Sequence, residues 1–590
     1  MSYSKFKDAL PQDTVSQILE IHKQLGLSLD CSIQETVPGI YSAAVSDRIG
    51  GWNTCGKGTT NDYCLASAYA ESIEHLCSYM AYNTGSLTVE AQQHLGFSRY
   101  PDEKCVKISD IPSIAPDVFD DMVDAYCLTG GPRPPDDKVI SVWERFLGTS
   151  ETTLAPYYSV RKNQVVYLPE AIIGVLCGTN GGGAGNTPAE AIGHGLDEIS
   201  ERYVKYKIYH DRLTPPTVDR DFIHSACPEL WEIIVKLEEE LKYKTVVKDA
   251  SMGKGFTVVG VLIIDQENQR YMANFGAHPQ FEIALERCLT EMFQLFNPKS
   301  LKTMRRKDLA KWQHYDDCEI DGIRNWVSLL RDDTGILPDS FFAGTPSWSF
   351  TPWKKYKAYS NRIGAQNQLE NLLLATEKDI YIRDVSFLGF PVYRIYIPGI
   401  STTCLSLDEQ QLDAFERGQE MVNAMCATGE TNLSREDLVQ LRDTVFSHNS
   451  FVSALIFRNM NEGMLNAFQA ALLMDLGDSD NAFKILRRQD DRLCQCAVKE
   501  FELKGNNVLP DVRDGLLELF FGKDEKEFAV CWRSSQIFLS LINKYVIRSN
   551  RNLNGNSSRD VGETSRLHMR LKEAMAKNIP NQMEIRKVFC

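Results

Sequence analysis

The sequence lacks the features that mark several common classes of protein. No run approaches the roughly 20 apolar residues of a membrane-spanning helix, and the first residues lack the apolar core of a secretion signal. Acidic residues outnumber basic ones by 79 to 64, for a formal net charge of −15. That excess works against binding nucleic acid, because such affinity comes largely from Lys and Arg displacing counterions. We therefore expect neither a membrane nor a nucleic-acid partner.

Cysteine spacing and enzyme motifs exclude further classes. The 16 cysteines follow no framework pattern, which predicts reduced thiols and a cytoplasmic location. Cys494 and Cys496 form a close pair, but no second pair has zinc-like spacing, so we interpret both as helix-borne packing residues. The motifs H-E-x-x-H and G-x-S-x-G are absent. The segment 51–58 resembles a P-loop, but Gly58 stands where Ser or Thr would reach Mg²⁺, so we set this interpretation aside.

Strand-like and helical patterns alternate in the first two-thirds of the chain. Strand-like runs at 165–168, 257–264 and 380–398 lie between segments with helical periodicity. This alternation predicts an α/β or α+β fold.

The pattern becomes almost wholly helical after about residue 405. Ser406 and Glu409 fit a capping box, and an apolar stripe at 464–476 that ends at Gly477 is followed at once by a second helical segment at 481–486. This helix hairpin resembles a tetratricopeptide unit. We predict a first domain at 1–405, an all-α domain resembling tetratricopeptide hairpins at 406–545, and a mobile connection with a terminal helix at 546–590.

An internal repeat in the first domain carries glutamates. In each of three copies a glutamate follows the first glycine by fifteen residues, and a second acid or amide follows three residues later. The copies are Gly56 with Glu71 and Glu74, Gly183 with Glu198 and Glu201, and Gly276 with Glu291 and Gln294. The pattern predicts a strand, a tight glycine turn and a helix in each copy. The helices are expected to begin at Thr60, Thr187-Pro188 and Pro279.

The glutamates of one copy share a helix face that also carries apolar residues. Several carboxylates in a partly buried space repel one another unless a cation neutralises them. Each first glutamate lies about eleven residues into its helix, on the order of 16 Å from the amino end, so helix dipoles do not serve it. Hard oxygen ligands without His or Cys favour Mg²⁺. Arg202 and Arg287 would then contact the phosphates of a magnesium nucleotide.

Structural interpretations of the same residues stay open. A single E-x-x-E-R on a helix is usually a solvated ion-pair face. The repeats could also be pseudo-symmetric packing whose carboxylates pair with Arg202, Arg287 and Lys205. Thr187 and Glu190 fit a capping box, which gives Glu190 a structural explanation. We interpret His75, His194 and His278 as structural or supporting residues.

The stretches 56–74, 184–203, 276–291 and 393–399 together resemble the YcaO family in motif order and spacing. The resemblance implies an α/β fold that binds ATP with Mg²⁺ and activates amide carbonyls. It implies that ATP phosphorylates a backbone amide oxygen, so that phosphate leaves instead of water. Carried over by motif, the magnesium ligands would be Glu71, Glu198, Glu201 and Glu291. The ATP contacts would be Lys7, Thr14, Ser67, Glu74, Glu190, Arg202 and Arg287.

Two departures from the family pattern narrow the expected function. His75 stands where the first motif usually has Arg. Residues 586–590 differ from the proline-rich tail of the peptide-cyclising members, which argues against azoline formation. The helical region instead makes the chain similar to the long stand-alone branch. That branch is linked to β-methylthiolation of an aspartate on a small-subunit ribosomal protein, as accessory factor to a radical methylthiotransferase.

Three hypotheses follow. The first is an ATP-dependent enzyme or accessory factor that acts on a protein substrate and forms a homodimer or docks partners through its helical domain. The second is a cyclodehydratase or thioamide-forming enzyme for a peptide natural product. The third is a non-catalytic scaffold. Binding of ATP with Mg²⁺ separates the first two from the third.

Overall fold

The computed structural model divides the chain into two compact units. One consists of residues 1–405 and 559–590, and the other of residues 406–558. The terminal segment, which the sequence pattern groups as 546–590, thus contributes helices to the first unit. The structure describes residues 7–47, 53–78, 99–127, 132–267, 270–294, 329, 337–353, 359–402, 407, 409, 412–413, 416, 434–436, 439, 442, 469–470, 472–474, 476–487, 492–523, 525–526 and 561–589.

The described strands of the first unit form three antiparallel sheets, ordered β1-β2-β3, β10-β9-β8 and β4-β5-β11-β12-β7, with β6 also paired to β5. The strands are β1 Leu29–Val37, β2 Ile40–Asp47, β3 Asn53–Gly58, β4 Lys104–Lys107, β5 Glu151–Ser159, β6 Gln164–Pro169, β7 Gly182–Ala184, β8 Lys244–Asp249, β9 Val258–Asp265, β10 Arg270–Ala277, β11 Tyr381–Asp384 and β12 Val392–Tyr396. Because the described pairs are antiparallel, the predicted mixed α/β fold is of the α+β type.

Helices cover these sheets and make up the described parts of the second unit. They are α1 Pro11–Gln24, α2 Asn61–Cys77, α3 Ile111–Ile114, α4 Pro116–Tyr126, α5 Asp136–Leu147, α6 Glu170–Cys177, α7 Pro188–His210, α8 Arg220–Ala226, α9 Pro228–Leu241, α10 Phe281–Met292, α11 Asn361–Thr376, α12 Ser479–Leu486, α13 Arg492–Gly505, α14 Pro510–Phe521, α15 Val561–Lys577 and α16 Arg586–Phe589. Within the described residues, no helix is both long and apolar enough to span a bilayer.

The predicted strand-like runs correspond to observed strands. The run 165–168 lies within β6, and 257–264 corresponds to β9. The run 380–398 contains two strands, β11 and β12, which pair antiparallel with Tyr381 opposite Tyr396. A single apolar run therefore conceals a hairpin.

The three repeated segments each contain an edge strand followed by a helix. Strands β3, β7 and β10 lie at the edges of the three sheets, and they lead into α2, α7 and α10. The predicted unit of strand, loop and helix is thus present in all three copies. Glu71, Glu198 and Glu291 are each the eleventh residue of their helix.

The first glycine of each copy was predicted to form a turn, but it lies in the strand and lets that strand approach its helix. A Cβ on Gly56 would lie 2.2 Å from the Cys64 carbonyl oxygen. On Gly183 it would lie 2.2 Å from the Ala191 carbonyl oxygen, and on Gly276 2.4 Å from the Ala284 carbonyl oxygen. The helix residue is eight positions after the glycine in every copy, so close packing requires glycine here.

Capping explains where two of the three helices begin. The Thr60 side chain accepts a hydrogen bond from the Tyr63 N–H, and that of Thr187 accepts one from the Glu190 N–H, as predicted from the sequence. The third helix was expected to begin at Pro279. It begins at Phe281, and the side chain of its N-cap residue, Gln280, makes no capping hydrogen bond.

Each repeated helix buries its apolar face in a different hydrophobic core. The core of the first copy includes Ala68 and Ile73 of α2. Leu196 of α7 lies in the second core, and Leu285 and Leu289 of α10 lie in the third. Burial of these faces fixes the rotation of each helix, so its glutamates point away from its own core.

The three copies contact one another in a cyclic order. Helix α2 packs on β7 of the second copy, α7 packs on β10 of the third, and α10 packs on β3 of the first. We call this arrangement the three-copy ring. It brings the glutamate-bearing faces of α2, α7 and α10 toward one another.

The second unit is described in parts, which include α12, α13 and α14. Gly477 adopts φ +88° directly before α12, as expected for a glycine that ends a helical segment. The rings of Phe483 and Phe501 pack with centroids 3.7 Å apart. Ser406, residues 464–468 and the Cys494 side chain lie outside the described residues, and the likeness to tetratricopeptide hairpins stays a prediction.

Candidate functional site

A cavity of about 560 Å³ lies inside the three-copy ring. Its lining includes every side chain that the family resemblance selects as a ligand or ATP contact: Lys7, Thr14, Ser67, Glu71, Glu74, Glu190, Glu198, Glu201, Arg202, Arg287 and Glu291. Residues separated by more than 280 positions in sequence therefore line one space.

Negative charge predominates in the lining. Seven acidic side chains line the cavity, the six glutamates named above and Glu286, against four basic ones, Lys7, Lys57, Arg202 and Arg287. The formal excess is thus three negative charges. In a partly enclosed space such an excess attracts cations and penalises ionisation of the carboxyls.

Glu71 and Glu74 on α2 show the cost of this crowding. The pKa of Glu71 is raised to about 7, mainly by burial and also by Glu198, while Lys57 and the Cys55 N–H oppose the shift. The Cys55 N–H donates to Glu71 Oε2 at 3.3 Å. Burial, with Glu198 and Glu71, raises the pKa of Glu74 to about 8. A bound cation would favour the ionised form of both carboxyls.

On α7, Glu198 receives two hydrogen bonds. The Gly181 N–H donates to Glu198 Oε2 at 3.0 Å, and Arg202 donates to Oε1 at 2.7 Å. This pairing of Arg202 with a glutamate matches the structural interpretation of the repeat. Glu201 lines the cavity one turn further along the same helix.

Glu291 on α10 pairs with Lys57 on β3. This ion pair crosses the contact between the third and first copies. The Lys57 side chain is 28% exposed and that of Glu291 38%, so both are within reach of a ligand in the cavity.

The carboxylates suit Mg²⁺ in chemistry and charge but do not form a preformed cage. Hard carboxylate oxygens and excess negative charge are what Mg²⁺ requires. Among the residues that the structure describes, no three His, Cys, Asp or Glu side chains meet closely enough to hold a metal ion. Because Mg²⁺ usually takes one or two carboxylates together with water and phosphate oxygens, an incomplete protein cage is compatible with magnesium bound as a nucleotide complex.

Arg287 pairs with an aspartate rather than with the repeated glutamates. It donates to Asp197 Oδ2 at 2.7 Å and to the Ala277 carbonyl oxygen at 2.9 Å. Gln368 donates to the other Asp197 oxygen at 2.7 Å. Burial raises the pKa of Asp197 to about 6, although Arg287 opposes the shift. This network fixes the Arg287 side chain at the cavity wall.

The N-terminal segment closes another part of the wall through Glu190. Lys7 lies 3.2 Å from Glu190 Oε1, and the backbone N–H groups of Asp8 and Asn186 donate to Oε2 at 3.2 and 3.3 Å. Burial raises the pKa of Glu190, but Lys7 and Asn186 outweigh it and the net shift is downward.

The predicted capping box at this helix start is only half formed. Thr187 accepts from the Glu190 N–H at 3.2 Å, as predicted. The Glu190 carboxylate instead accepts from the Asn186 N–H, one residue before the cap, and it also contacts Lys7 and the Asp8 N–H. Thr14 donates to the Asn186 side chain at 2.7 Å and joins the same wall.

The cavity also contains residues that were assigned only supporting roles or none. Lys57, His75, His194, His278 and Glu286 all line it. Burial places the pKa of His194 and of His278 well below the usual value, so both imidazoles are neutral near pH 7.

The register of the repeat contains a signal for His194. Its Nδ1 donates to the Ala184 carbonyl oxygen at 2.8 Å, as Arg287 does to Ala277. Both side chains lie eleven residues after the first glycine of their copies, and Ser67 is the corresponding residue of the first copy. Aligning the three copies residue by residue would therefore have selected His194 together with Ser67 and Arg287.

Comparison with known sequences yields a family match and two relatives. The profile described as "YcaO cyclodehydratase, ATP- and Mg²⁺-binding" matches residues 55–401. An uncharacterized protein of Haemophilus influenzae is 29% identical over 403 residues, covering 67% of this chain and 65% of that protein. The Escherichia coli protein named ribosomal protein S12 methylthiotransferase accessory factor YcaO is 29% identical over 405 residues, with the same coverage. This chain thus aligns with just under two-thirds of each relative's length.

Solved structures show more distant likeness. A heterocyclase in complex with substrate and cofactor has a TM-score of 0.45 and 17% identity, covering 67% of this chain and 52% of that one. A YcaO protein from Methanopyrus kandleri bound with AMPPCP and Mg²⁺ has a TM-score of 0.42 and 19% identity, covering 67% and 92%. The family match therefore rests on sequence.

Proposed function

Because this chain belongs to the YcaO family, we propose that it uses ATP and Mg²⁺ to activate amide carbonyls of a protein or peptide by phosphorylation. The observation that carries the proposal is the position of Glu71, Glu198 and Glu291. They occupy equivalent positions on three helices and line one cavity. Pseudo-symmetric packing alone gives no reason for three carboxylates to share a space that penalises their charge.

The proposed ligand set follows from the chemistry of each side chain. Glu71, Glu198, Glu201 and Glu291 would hold Mg²⁺, which supplies charge neutralisation for phosphate oxygens when bound. Arg202 and Arg287 line the same cavity, and their planar guanidinium groups suit phosphate.

The remaining proposed contacts divide into donors and acceptors. Lys7, Thr14 and Ser67 can donate hydrogen bonds to a nucleotide. Ionised Glu74 and Glu190 can only accept, so they suit ribose hydroxyls or an exocyclic amine. The network around Glu190 already includes Lys7, which would place it at the rim that the N-terminal segment forms.

Activation of an amide by phosphorylation takes two steps. The amide oxygen attacks the γ-phosphorus, and the bond between that phosphorus and the bridging oxygen breaks to release ADP. A nucleophile then replaces the phosphorylated oxygen, which leaves as inorganic phosphate. The protein's part is to orient the two reactants and stabilise the charge of the transferring group.

More specifically, we propose that this chain has an accessory role in β-methylthiolation of an aspartate on a small-subunit ribosomal protein. The name of the E. coli relative, a ribosomal protein S12 methylthiotransferase accessory factor, supports this choice. We infer that the partners are a ribosomal protein and a radical methylthiotransferase, and that the second unit mediates docking or homodimerisation. These inferences rest on the name of a relative and not on the geometry of the cavity.

A second candidate is a cyclodehydratase or thioamide-forming enzyme for a peptide. The description of the matching family profile favours it. Both candidates use the same ATP chemistry and differ in the nucleophile and the substrate. The third hypothesis, a non-catalytic scaffold, predicts no nucleotide binding.

Two measurements test the proposal. Calorimetric titration of the full chain with ATP analogue and Mg²⁺ should show one site per chain, and absence of binding by folded protein would favour the scaffold. The second assay supplies ATP and an ¹⁸O-carbonyl peptide that contains the ribosomal aspartate. Transfer of ¹⁸O into phosphate supports amide activation, whereas ATP turnover with unlabelled phosphate contradicts it.

A further inference from the structure

Lys57 is the basic residue most closely engaged with the repeated glutamates. It extends from β3 of the first copy to Glu291 on α10 of the third copy. Burial lowers the pKa of Lys57, and attraction to the carboxylates of Glu201, Glu71 and Glu198 opposes that shift. One ammonium group is thus drawn to carboxylates from all three helices.

The repeat shows that this lysine is an addition to the common architecture. The residues that correspond to Lys57 in the other copies are Ala184 and Ala277. Where α2 packs on β7, Glu74 instead lies against backbone, and a Cβ on Gly182 would be 2.6 Å from Glu74 Oε1. The other two contacts between a repeated helix and the next strand, α2 on β7 and α7 on β10, therefore form without a lysine at this position.

The other cations of the cavity have different partners. Arg287 is bound to Asp197, Lys7 to Glu190, and Arg202 to Glu198 on its own helix. Among the basic side chains in the described lining, Lys57 pairs with a glutamate from another copy of the repeat. Its ammonium pairs with Glu291 of α10 and is near enough to Glu71 of α2 and Glu201 of α7 to attract them.

We propose that Lys57 is a built-in counter-ion whose ammonium group occupies the carboxylate cluster of the ligand-free protein and leaves it when a metal–nucleotide complex binds. This inference rests on the proposed function. Metal and ammonium are alternative partners of Glu291, so Lys57 weakens binding of free Mg²⁺. Once nucleotide phosphates enter, the same ammonium faces negative charge and favours the complex.

The proposal predicts that one substitution changes two metal affinities differently. Lys57→Met should bind free Mn²⁺, used as a spectroscopic substitute for Mg²⁺, roughly tenfold more tightly than wild type. Its affinity for Mn²⁺ with AMPPNP should be unchanged or weaker. A lysine with a purely structural role would, on removal, weaken both.

Mn²⁺ electron paramagnetic resonance titrations of the full chain supply both affinities. Lys57→Gln is the second substitution, and Lys7→Met is the matched control, because it removes the same charge from the same cavity but from the Glu190 side. The control should change free Mn²⁺ affinity less than either Lys57 variant. Circular dichroism melts establish that each variant is folded.

The outcomes separate this inference from the proposed function. If wild type binds no Mn²⁺ with AMPPNP, the proposed function fails. If wild type binds the complex but both Lys57 variants bind free Mn²⁺ no more tightly than Lys7→Met, the counter-ion proposal alone is overturned. If neither Lys57 variant folds, trace acetylation of the wild-type protein provides the test. Saturating Mg²⁺ should raise the labelling of Lys57 relative to that of Lys7. Unchanged labelling of Lys57 would overturn the proposal.

Discussion

Replacing Gly183 by Ala should separate β7 from α7 and damage the cavity. The added Cβ would lie 2.2 Å from the Ala191 carbonyl oxygen and 2.8 Å from the Gly195 nitrogen. Both are backbone atoms of a helix, so relief requires the helix or the strand to move. Overpacking of side chains typically costs ~1–3 kcal/mol, and we expect this backbone clash to destabilise the first unit by at least ~3 kcal/mol.

The matched control is Gly174→Ala in α6. A Cβ on Gly174 meets nothing within 4 Å, and alanine in a helix is more stable than glycine by ~1 kcal/mol. The two variants carry the same chemical change, so their difference isolates the close approach of strand and helix.

Thermal unfolding and hydrogen–deuterium exchange measure this effect. The unfolding midpoint of Gly183→Ala should fall well below that of wild type, while that of Gly174→Ala should equal or exceed it. Exchange in residues 188–210 should accelerate in Gly183→Ala, and affinity for the ATP analogue with Mg²⁺ should fall, since Glu198 and Glu201 lie on that helix. Equal stability and exchange in the two glycine variants would refute the close-packing argument.

Two further predictions concern charged groups in the first unit. Arg287→Met removes the ion-pair partner of the buried Asp197, which keeps its hydrogen bond from Gln368, and should lower the free energy of unfolding by about 3 kcal/mol. Adding Asp197→Asn should recover most of that loss in a thermal double-mutant cycle. Strict additivity of the two substitutions would contradict the pairing. Burial lowers the pKa of Lys572 to about 6, so folding releases its proton and wild-type stability rises with pH between about 6 and 10. Lys572→Met should lack this rise and be more stable at pH 7, with the advantage shrinking toward pH 10; an equal difference at pH 7 and pH 10 in thermal melts would contradict this.

Local signals in the sequence were sufficient to predict much of the structure of the repeat. Capping threonines and glycine-to-glutamate spacing predict two helix starts, and the starts place Glu71 and Glu198 at the same helical position. The caps depend on residues within about one turn of each other, and the spacing is a count along the sequence, so neither requires knowledge of tertiary contacts.

The partners of the charged residues depend on contacts between distant segments. Periodicity along α10 cannot indicate that Arg287 will meet Asp197 of α7, nor that Lys57 of β3 will reach Glu291. Both pairs exist because the copies pack in a cycle. The role of the first glycines was mistaken for the same reason: a turn and a close helix contact both favour glycine, and only the packing distinguishes them.

The central claim is that α2, α7 and α10 contribute to one metal–nucleotide site. Calorimetry of wild type and of Glu71→Gln, Glu198→Gln and Glu291→Gln with an ATP analogue and Mg²⁺ tests it most directly. We predict one site in wild type and at least roughly tenfold weaker binding in every variant, while each remains folded. Unchanged binding when the glutamate of any one helix is replaced would contradict the claim for that helix, and unchanged binding in all three would refute the account.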